Sequence, residues 1–217
     1  MKHRTLSSAF SALLLAAALL PAAAPAAPCG VAADGNVANV LHTSIKMGDA
    51  QNVRCLLDNG ADANAADGEG NTALMFAAAN GHTAIVQNLI EKGAQVNAVI
   101  PKGEFAGFTA LMAAVGHADI MRLLIEKGAQ VNAADSKGRT ALMFAAMNGH
   151  TDTARLLMEK GAQVNAADEN GTATLMHAAA EGHTAIVQSL IDNGAQVNAA
   201  VPQGEGAGYT ALMAAAF

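Results

Sequence analysis

The sequence predicts an all-α solenoid, in which helix–turn–helix units stack side by side, and three patterns indicate this fold. The tripeptide Val-Asn-Ala begins at residues 96, 131, 164 and 197, so its copies are 35, 33 and 33 residues apart. The dipeptide Gly-His begins at residues 81, 116, 149 and 182, with the same spacing. Between these markers, apolar residues recur at helical intervals. A period of this size is typical of stacked repeat arrays.

The most regular unit, residues 70–98, shows how one repeat forms two helices. Thr72 precedes an apolar run, and its hydroxyl can cap the free N–H groups of a first helix. Gly81 ends that helix, because glycine accepts the left-handed backbone cheaply. A second apolar helix follows and ends at Gly93. One helix pair cannot hide both apolar faces from water, so the copies must stack.

Two repeats begin with nearly the same nine residues, G-N-T-A-L-M-F-A-A at 70–78 and G-R-T-A-L-M-F-A-A at 138–146. Gly-His and then G-A-Q-V-N follow in both. These motifs resemble the ankyrin-repeat family, whose pattern is G-x-T-P-L-H-x-A-A, then G-H, then L-L-x-x-G-A-x-V-N. Ala replaces the family's Pro and Met replaces its His. The resemblance covers residues 34–217 and implies helix pairs joined by β-turn or hairpin loops, with a binding function and no catalysis.

Residues 1–26 have the organisation of a secretory signal peptide. A basic start at residues 2–4 precedes an apolar run at 13–20, and small residues precede the expected cleavage site after Ala26. The run is too short to cross a membrane, so we expect no membrane span after cleavage. This indicates a periplasmic or secreted protein. An uncleaved anchor and a lipid on Cys29 are the alternatives.

The short segment 27–33 carries Cys29, and Cys55 is the second of the two cysteines in the chain. In an oxidising compartment an isolated pair usually forms a disulfide. We therefore predict a Cys29–Cys55 bond that ties this segment to the first repeat, with two free thiols as the alternative.

The repeat domain, residues 34–217, consists of five full repeats and a partial sixth. The first repeat departs most from the pattern, as terminal repeats do. The fifth has Ala173-Thr174 where the others have Thr-Ala, which weakens or shifts its helix cap, and Thr172 is the candidate replacement. The repeat boundaries are 34–66, 67–98, 99–133, 134–166, 167–199 and 200–217.

The third and sixth repeats share a longer loop, V-I-P-K-G-E-F-A-G-F at 99–108 and V-P-Q-G-E-G-A-G-Y at 201–209. Asn97 and Asn198 are 101 residues apart, so a block of three repeats is duplicated. The sixth repeat stops at Phe217, inside its first helix. Either this half-repeat caps the stack, with Phe217 over the last groove, or the sequence is truncated.

Histidine and methionine recur in fixed positions of the repeat but do not predict a metal site. Neighbouring helices lie about 8–10 Å apart, whereas zinc needs its ligands at about 2.0–2.3 Å. The Gly-His histidines are therefore expected to brace the turns, and the methionines to fill the core rather than bind copper. The serines lack a nucleophile-elbow context, and no phosphate-binding glycine loop is present. We predict no enzyme, no cofactor and no metal.

The candidate partner-binding residues lie at the loop tips and at the ends of the first helices, which form the concave face of ankyrin-like stacks. Aromatic residues dominate binding hot spots, and three of them lie in the two long loops. Phe108 and Tyr209 directly precede the capping Thr, so their alternative role is to anchor the loop. The candidates are Phe105, Phe108, Tyr209, Lys102, Glu104, Glu69, Asn71, Lys137, Arg139, Asn148 and Glu181.

The charge favours a protein partner over nucleic acid. Cleavage after Ala26 would remove two basic residues and no acid, taking the net charge from −6 to −8, and nucleic acid attracts basic surfaces. We expect a monomeric, non-catalytic interaction module of the periplasm or cell envelope. A stabiliser of envelope redox-defence enzymes and an inhibitor or immunity partner of a secreted toxin are the alternatives.

Overall fold

The computed structural model describes residues 29, 37–202 and 207–215. Within these ranges the chain forms eleven α-helices and one short 3₁₀ helix, without a strand longer than a single β-bridge. The α-helices are α1 (Val37–Lys46), α2 (Ala50–Asp58), α3 (Ala73–Ala79), α4 (Thr83–Glu91), α5 (Ala110–Ala113), α6 (Ala118–Glu126), α7 (Ala141–Met147), α8 (Thr151–Glu159), α9 (Thr174–Ala180), α10 (Thr184–Asp192) and α11 (Ala211–Ala214). The 3₁₀ helix, Ala114–Gly116, follows α5.

The helices stand in two rows, and this confirms the predicted all-α solenoid. The first helices of the repeats pack in the order α1, α3, α5, α7, α9 and α11. The second helices pack in the order α2, α4, α6, α8 and α10. The apolar core runs between the rows. It includes the leucine and methionine that follow each cap, from Leu74 and Met75 to Leu175 and Met176, all of them buried.

Each repeat begins with a hairpin-like loop closed by one antiparallel bridge, as the resemblance implied. The bridges join Ala66 to Thr72, Val99 to Thr109, Ala134 to Thr140, Ala167 to Ala173 and Ala200 to Thr210.

Among these five loops, the capping threonine is absent only from the fourth, which belongs to the fifth repeat. Thr72, Thr109, Thr140 and Thr210 each accept the N–H of the residue three positions on. At α9 the cap position is Ala173, which makes no side-chain cap bond, and the buried hydroxyl of Thr174 has no partner. The expectation that Thr172 replaces the missing cap is wrong, because the residue at the cap position of α9 is Ala173.

An asparagine ladder joins successive repeats and explains the recurring Val-Asn-Ala motif. Asn97 donates from Nδ2 to the carbonyl oxygen of Gly128 at 2.9 Å, and its Oδ1 accepts the N–H of Gln130 at 2.9 Å. Asn64, Asn132 and Asn165 make the same two bonds to the next repeat. Each asparagine therefore supplies a hydrogen-bond donor and an acceptor to two backbone groups that follow the second helix of the next repeat and would otherwise lack partners.

The Gly-His histidines pack across the interfaces between repeats. The Nε2 atom of His117 lies 3.2 Å from the carbonyl oxygen of Ala79, and that of His183 lies 3.3 Å from Met147. The His117 ring lies so close to Gly81 that a Cβ there would be 2.6 Å from its Cε1 atom. Glycine is thus needed at this turn both for its left-handed backbone (φ +76°) and for space.

Cys29 and Cys55 form a disulfide with a Cα–Cα distance of 5.7 Å, in agreement with the sequence prediction. The Asn59 side chain donates to the carbonyl oxygen of Cys55 at 2.9 Å beside it. The predicted signal peptide (1–26) and Phe217 lie outside the described residues. Within the described part of the chain, none of the helices has the length and apolar character needed to cross a membrane.

Candidate protein-binding face

The long loop of the third repeat, residues 99–109, is fixed by backbone hydrogen bonds. The Ile100 N–H donates to Phe108 at 3.1 Å, and the Gly107 N–H donates to Ile100 at 2.8 Å. Gly107 has a φ of +82°, and a Cβ there would lie 2.9 Å from the Asp135 Cα atom. The Ser136 N–H also donates to Ala106 at 2.7 Å. The loop is therefore attached to the next repeat and forms a fixed ridge.

A cavity of about 400 Å³ opens between this ridge and the loop of the second repeat. We call it the loop cavity. Its apolar part consists of buried Ile100 and of Phe105, whose ring is half in solvent, with 51% of the residue exposed. The other lining residues are Gly68, Glu69, Asn71, Lys102, Gly103 and Glu104. An apolar interior with charged groups of both signs at the rim suits a peptide or protein side chain.

Asp67 holds the second-repeat wall of the loop cavity in place. Its Oδ1 accepts the N–H groups of Glu69 and Asn71, both at 2.9 Å, and the Asn71 amide donates to Oδ2 at 3.0 Å. Burial raises the pKa of Asp67, but the hydrogen bonds from Asn71 and Glu69 outweigh it and leave the pKa lowered. An ionised carboxylate therefore organises this turn, while the Glu69 side chain remains at the surface.

A row of rings connects the exposed rim to the body of the stack. Phe105 meets Phe108 edge-to-face with centroids 6.2 Å apart, and Phe108 meets Phe144 in the same way at 5.5 Å. The Arg139 guanidinium lies 4.8 Å from the centre of the Phe144 ring and pairs with Asp135 at 2.7 Å. Each such aromatic pair contributes about 0.5–1.5 kcal/mol beyond burial. Phe105 is therefore held from behind while its outer face stays open.

An ion pair between Lys137 and Glu104 at 3.1 Å links the loops of the third and fourth repeats. The Glu104 side chain is largely exposed, and such surface pairs contribute only about 0–1 kcal/mol. Both charges thus remain available to a partner at little cost in stability.

A sequence model of ankyrin repeats, described as three copies, matches residues 13–100, 41–135, 100–168 and 128–201. The chain belongs to the ankyrin-repeat family. Ankyrin repeats are generally protein–protein interaction modules and typically have no catalytic role. No curated protein matches the sequence. Among the described residues, no cluster of three or more His, Cys, Asp or Glu side chains could hold a metal ion.

The ankyrin stack brings together eight of the eleven residues predicted to bind a partner. Five line the loop cavity. Phe108 supports it from within the same loop, and Lys137 and Arg139 support it from the loop of the fourth repeat. The other three lie on later repeats. Tyr209 is half-buried against the core, as is Phe108, whereas Asn148 and Glu181 are exposed at the ends of α7 and α9.

Sequence reasoning missed the residues that shape this ankyrin surface from below. Ile100 is buried and forms the floor of the loop cavity, whereas the next residue, Pro101, is exposed. Asp67, Asp135 and Asp168 accept backbone N–H groups two and four positions on, which closes three equivalent turns. The recurrence of aspartate at one position of the repeat was the signal that could have revealed them.

Proposed function

We propose that this ankyrin-repeat protein binds another protein through the loop cavity and the ridge beside it, and that it performs no catalysis. The observation that carries the proposal is Phe105, a large aromatic residue that is 51% exposed although its loop is fixed by backbone hydrogen bonds. A preformed site of this kind loses little conformational entropy when a partner binds. The ring and the cavity beside it together provide an apolar anchor point.

The lining residues favour a particular kind of contact. An apolar side chain of the partner would enter between Ile100 and Phe105, and polar groups would meet the rim charges. The rim offers Lys102 as a cation and Glu69 and Glu104 as anions. Such a rim favours a partner that has both signs of charge around an apolar centre. The charges determine the partner's orientation and association rate more than its affinity.

The periplasm or the exterior of the cell is the proposed location. The basic and apolar pattern of residues 1–26 supports export. The Cys29–Cys55 disulfide supports an oxidising compartment, because such bonds are rare where thiols are kept reduced.

A crosslinked pull-down from the cell-envelope fraction tests the proposal. Phe105→Ala should reduce recovery of the partner at least tenfold, which corresponds to about 1.4 kcal/mol. Because the ring is half exposed and loses only its pair with Phe108, the melting temperature should fall by no more than about 6 °C. The matched control is Gln87→Ala, at an exposed position of α4 away from the loops. Equal recovery by the Phe105 variant and the control would contradict the proposed site.

A further inference from the structure

The residues that line the loop cavity have counterparts 101 residues later, in the second copy of the duplicated block. Of the eight lining residues, only Gly103 and Glu104 are the same in both copies. Asp67 and Gly107, which fix the two loops, recur unchanged. The two copies therefore differ mainly at the positions that a ligand would touch. The largest changes replace Gly68, Lys102 and Phe105 by Glu169, Gln203 and Gly206.

Lys102 is the cation at the rim of the loop cavity, and its charge is not balanced. Within the described ranges it makes no ion pair or side-chain hydrogen bond. The two acids of the rim are already engaged. Glu104 pairs with Lys137 at 3.1 Å, and the Glu69 Oε2 atom accepts the Asn71 amide at 3.4 Å. The charge that remains for a ligand to neutralise is therefore positive.

The backbone beside Lys102 adds hydrogen-bond donors to this charge. In the described part of the chain, none of the N–H groups of residues 102–105 donates to an acceptor. All four of these residues line the loop cavity. Donors bond about twice as strongly to an ionised acceptor as to a neutral one. Free N–H groups around an unpaired ammonium group therefore favour a carboxylate as the ligand.

Gly68 leaves one wall of the loop cavity without a side chain, although the fold does not require glycine there. Its φ lies outside the left-handed region, and a Cβ would have no atom of the described residues within 4 Å. The same position holds Ser136 in the fourth repeat and Glu169 in the fifth, and the aspartate turn closes in both. The glycine thus keeps space at the cavity wall through which the backbone of a bound segment can pass.

The charge of the whole chain limits how acidic the ligand can be. The net charge is −6, so a strongly acidic partner would be repelled at long range. A single carboxylate beside an apolar side chain avoids this cost. The apolar side chain has its place between buried Ile100 and half-exposed Phe105.

We propose that the loop cavity recognises an extended internal segment of a partner protein in which an apolar residue lies next to one Asp or Glu. The inference rests on the proposed function of protein binding and names the chemistry of the partner. The apolar side chain enters between Ile100 and Phe105, and the carboxylate meets Lys102 and the free N–H groups. A chain end is not needed, because the open wall at Gly68 lets the segment continue past the cavity.

Two phage-displayed libraries of random peptides provide the probes, with the protein purified from the full-length sequence as bait. One library carries the random segment inside the coat protein, and the other carries it at a free C-terminus. The internal library should be enriched in segments with an apolar residue beside Asp or Glu. A synthetic peptide of the most enriched segment, blocked at both ends, is then measured by fluorescence anisotropy. Changing its Asp to Asn, or its Glu to Gln, should weaken binding about tenfold or more through the loss of charge-assisted hydrogen bonds.

Variants that borrow residues from the second copy locate the contact. Lys102→Gln should weaken binding of the acidic peptide and remove the difference between the acid and amide peptides, as a double-mutant cycle requires. Gly68→Glu should weaken binding at least tenfold by filling the open wall with a like charge. Neither change should lower the melting temperature, because Gln203 and Glu169 occupy the corresponding positions. The matched control is Lys127→Gln, which removes an exposed cation after α6 and should leave binding unchanged.

The remaining outcomes separate this inference from the proposed function. Equal binding of the acid and amide peptides, or an unchanged affinity with Lys102→Gln, would overturn the carboxylate, whereas loss of binding with Phe105→Ala would still support the loop cavity as the site. Enrichment from the free C-terminal library alone would overturn the internal segment. Absence of enrichment from both libraries would overturn the inference, and the pull-down with Phe105→Ala would then decide the proposed function separately.

Discussion

The break in the capping pattern at the fifth repeat gives a prediction of increased stability. The double variant Ala173→Thr with Thr174→Ala restores the Thr-Ala order of the other repeats. The new threonine should accept the N–H of Met176, as Thr140 accepts that of Met143 at 3.4 Å. The alanine removes a hydroxyl that is fully buried without a hydrogen-bond partner.

The size of the effect follows from these two changes. A threonine cap contributes about 1 kcal/mol, and an unsatisfied buried hydroxyl costs about 1–3 kcal/mol. The swap should therefore raise the free energy of unfolding by about 2–4 kcal/mol, or the melting temperature by roughly 4–16 °C for a domain of this size. Steric cost should be small, because Thr72, Thr109 and Thr140 occupy the same buried position.

Thermal and urea unfolding followed by circular dichroism would measure the gain. Each single variant should give part of it. The reverse swap in the regular fourth repeat, Thr140→Ala with Ala141→Thr, is the matched control and should destabilise by a similar amount. A neutral or destabilising swap at residues 173 and 174 would refute the reasoning, because it would mean that the Thr174 hydroxyl is satisfied in the folded protein.

Three further predictions concern the stack. Asn132→Ala should cost about 1–3 kcal/mol in urea unfolding through its two bonds to the next repeat, whereas Asn198→Ala, without a following repeat among the described residues, should cost almost nothing; equal losses would contradict the ladder. Reducing the Cys29–Cys55 bond, which spans 26 residues, should lower the free energy of unfolding by about 3.5 kcal/mol on the chain-entropy estimate, and an unchanged melting temperature would contradict a stabilising disulfide. The lowered pKa of Asp67 stabilises the fold above its unfolded pKa of about 3.9 and less so as pH falls through the lower folded pKa, so the stability difference from Asp67→Ala should shrink from pH 6 to pH 2; a constant difference would contradict that role.

Much of the fold could be predicted because each repeat contains the same local sequence signals. The threonine caps, the glycine stops and the apolar spacing are local signals, and at least four copies of each make them unambiguous. The first repeat was harder. His42 lies well inside α1 and packs edge-to-face on Phe76 of the next repeat, with ring centroids 5.4 Å apart. Helix α1 begins earlier than the repeat pattern suggests, because the divergent first repeat has no threonine at the position that caps the first helix in the other repeats.

The candidate site was predictable only in part. Exposed charges and aromatic residues in the long loops could be selected from composition, and most of them do converge. The loop cavity could not be predicted, because it depends on how the loops of the second and third repeats are positioned relative to each other. The contact between Gly107 and Asp135 and the hydrogen bond from Ser136 to Ala106 join residues of different repeats. Pairing between repeats has no signature within a single copy.

Site-specific photo-crosslinking is the most direct measurement of whether the loop cavity carries the function. A photoreactive phenylalanine analogue placed at position 105 lies on the rim of the cavity, and the same analogue at position 87 lies on the outer surface of α4. Irradiation in intact cells should give a discrete protein adduct from position 105 and none from position 87. Adducts of equal yield from both positions, or from position 87 alone, would contradict binding through the loops.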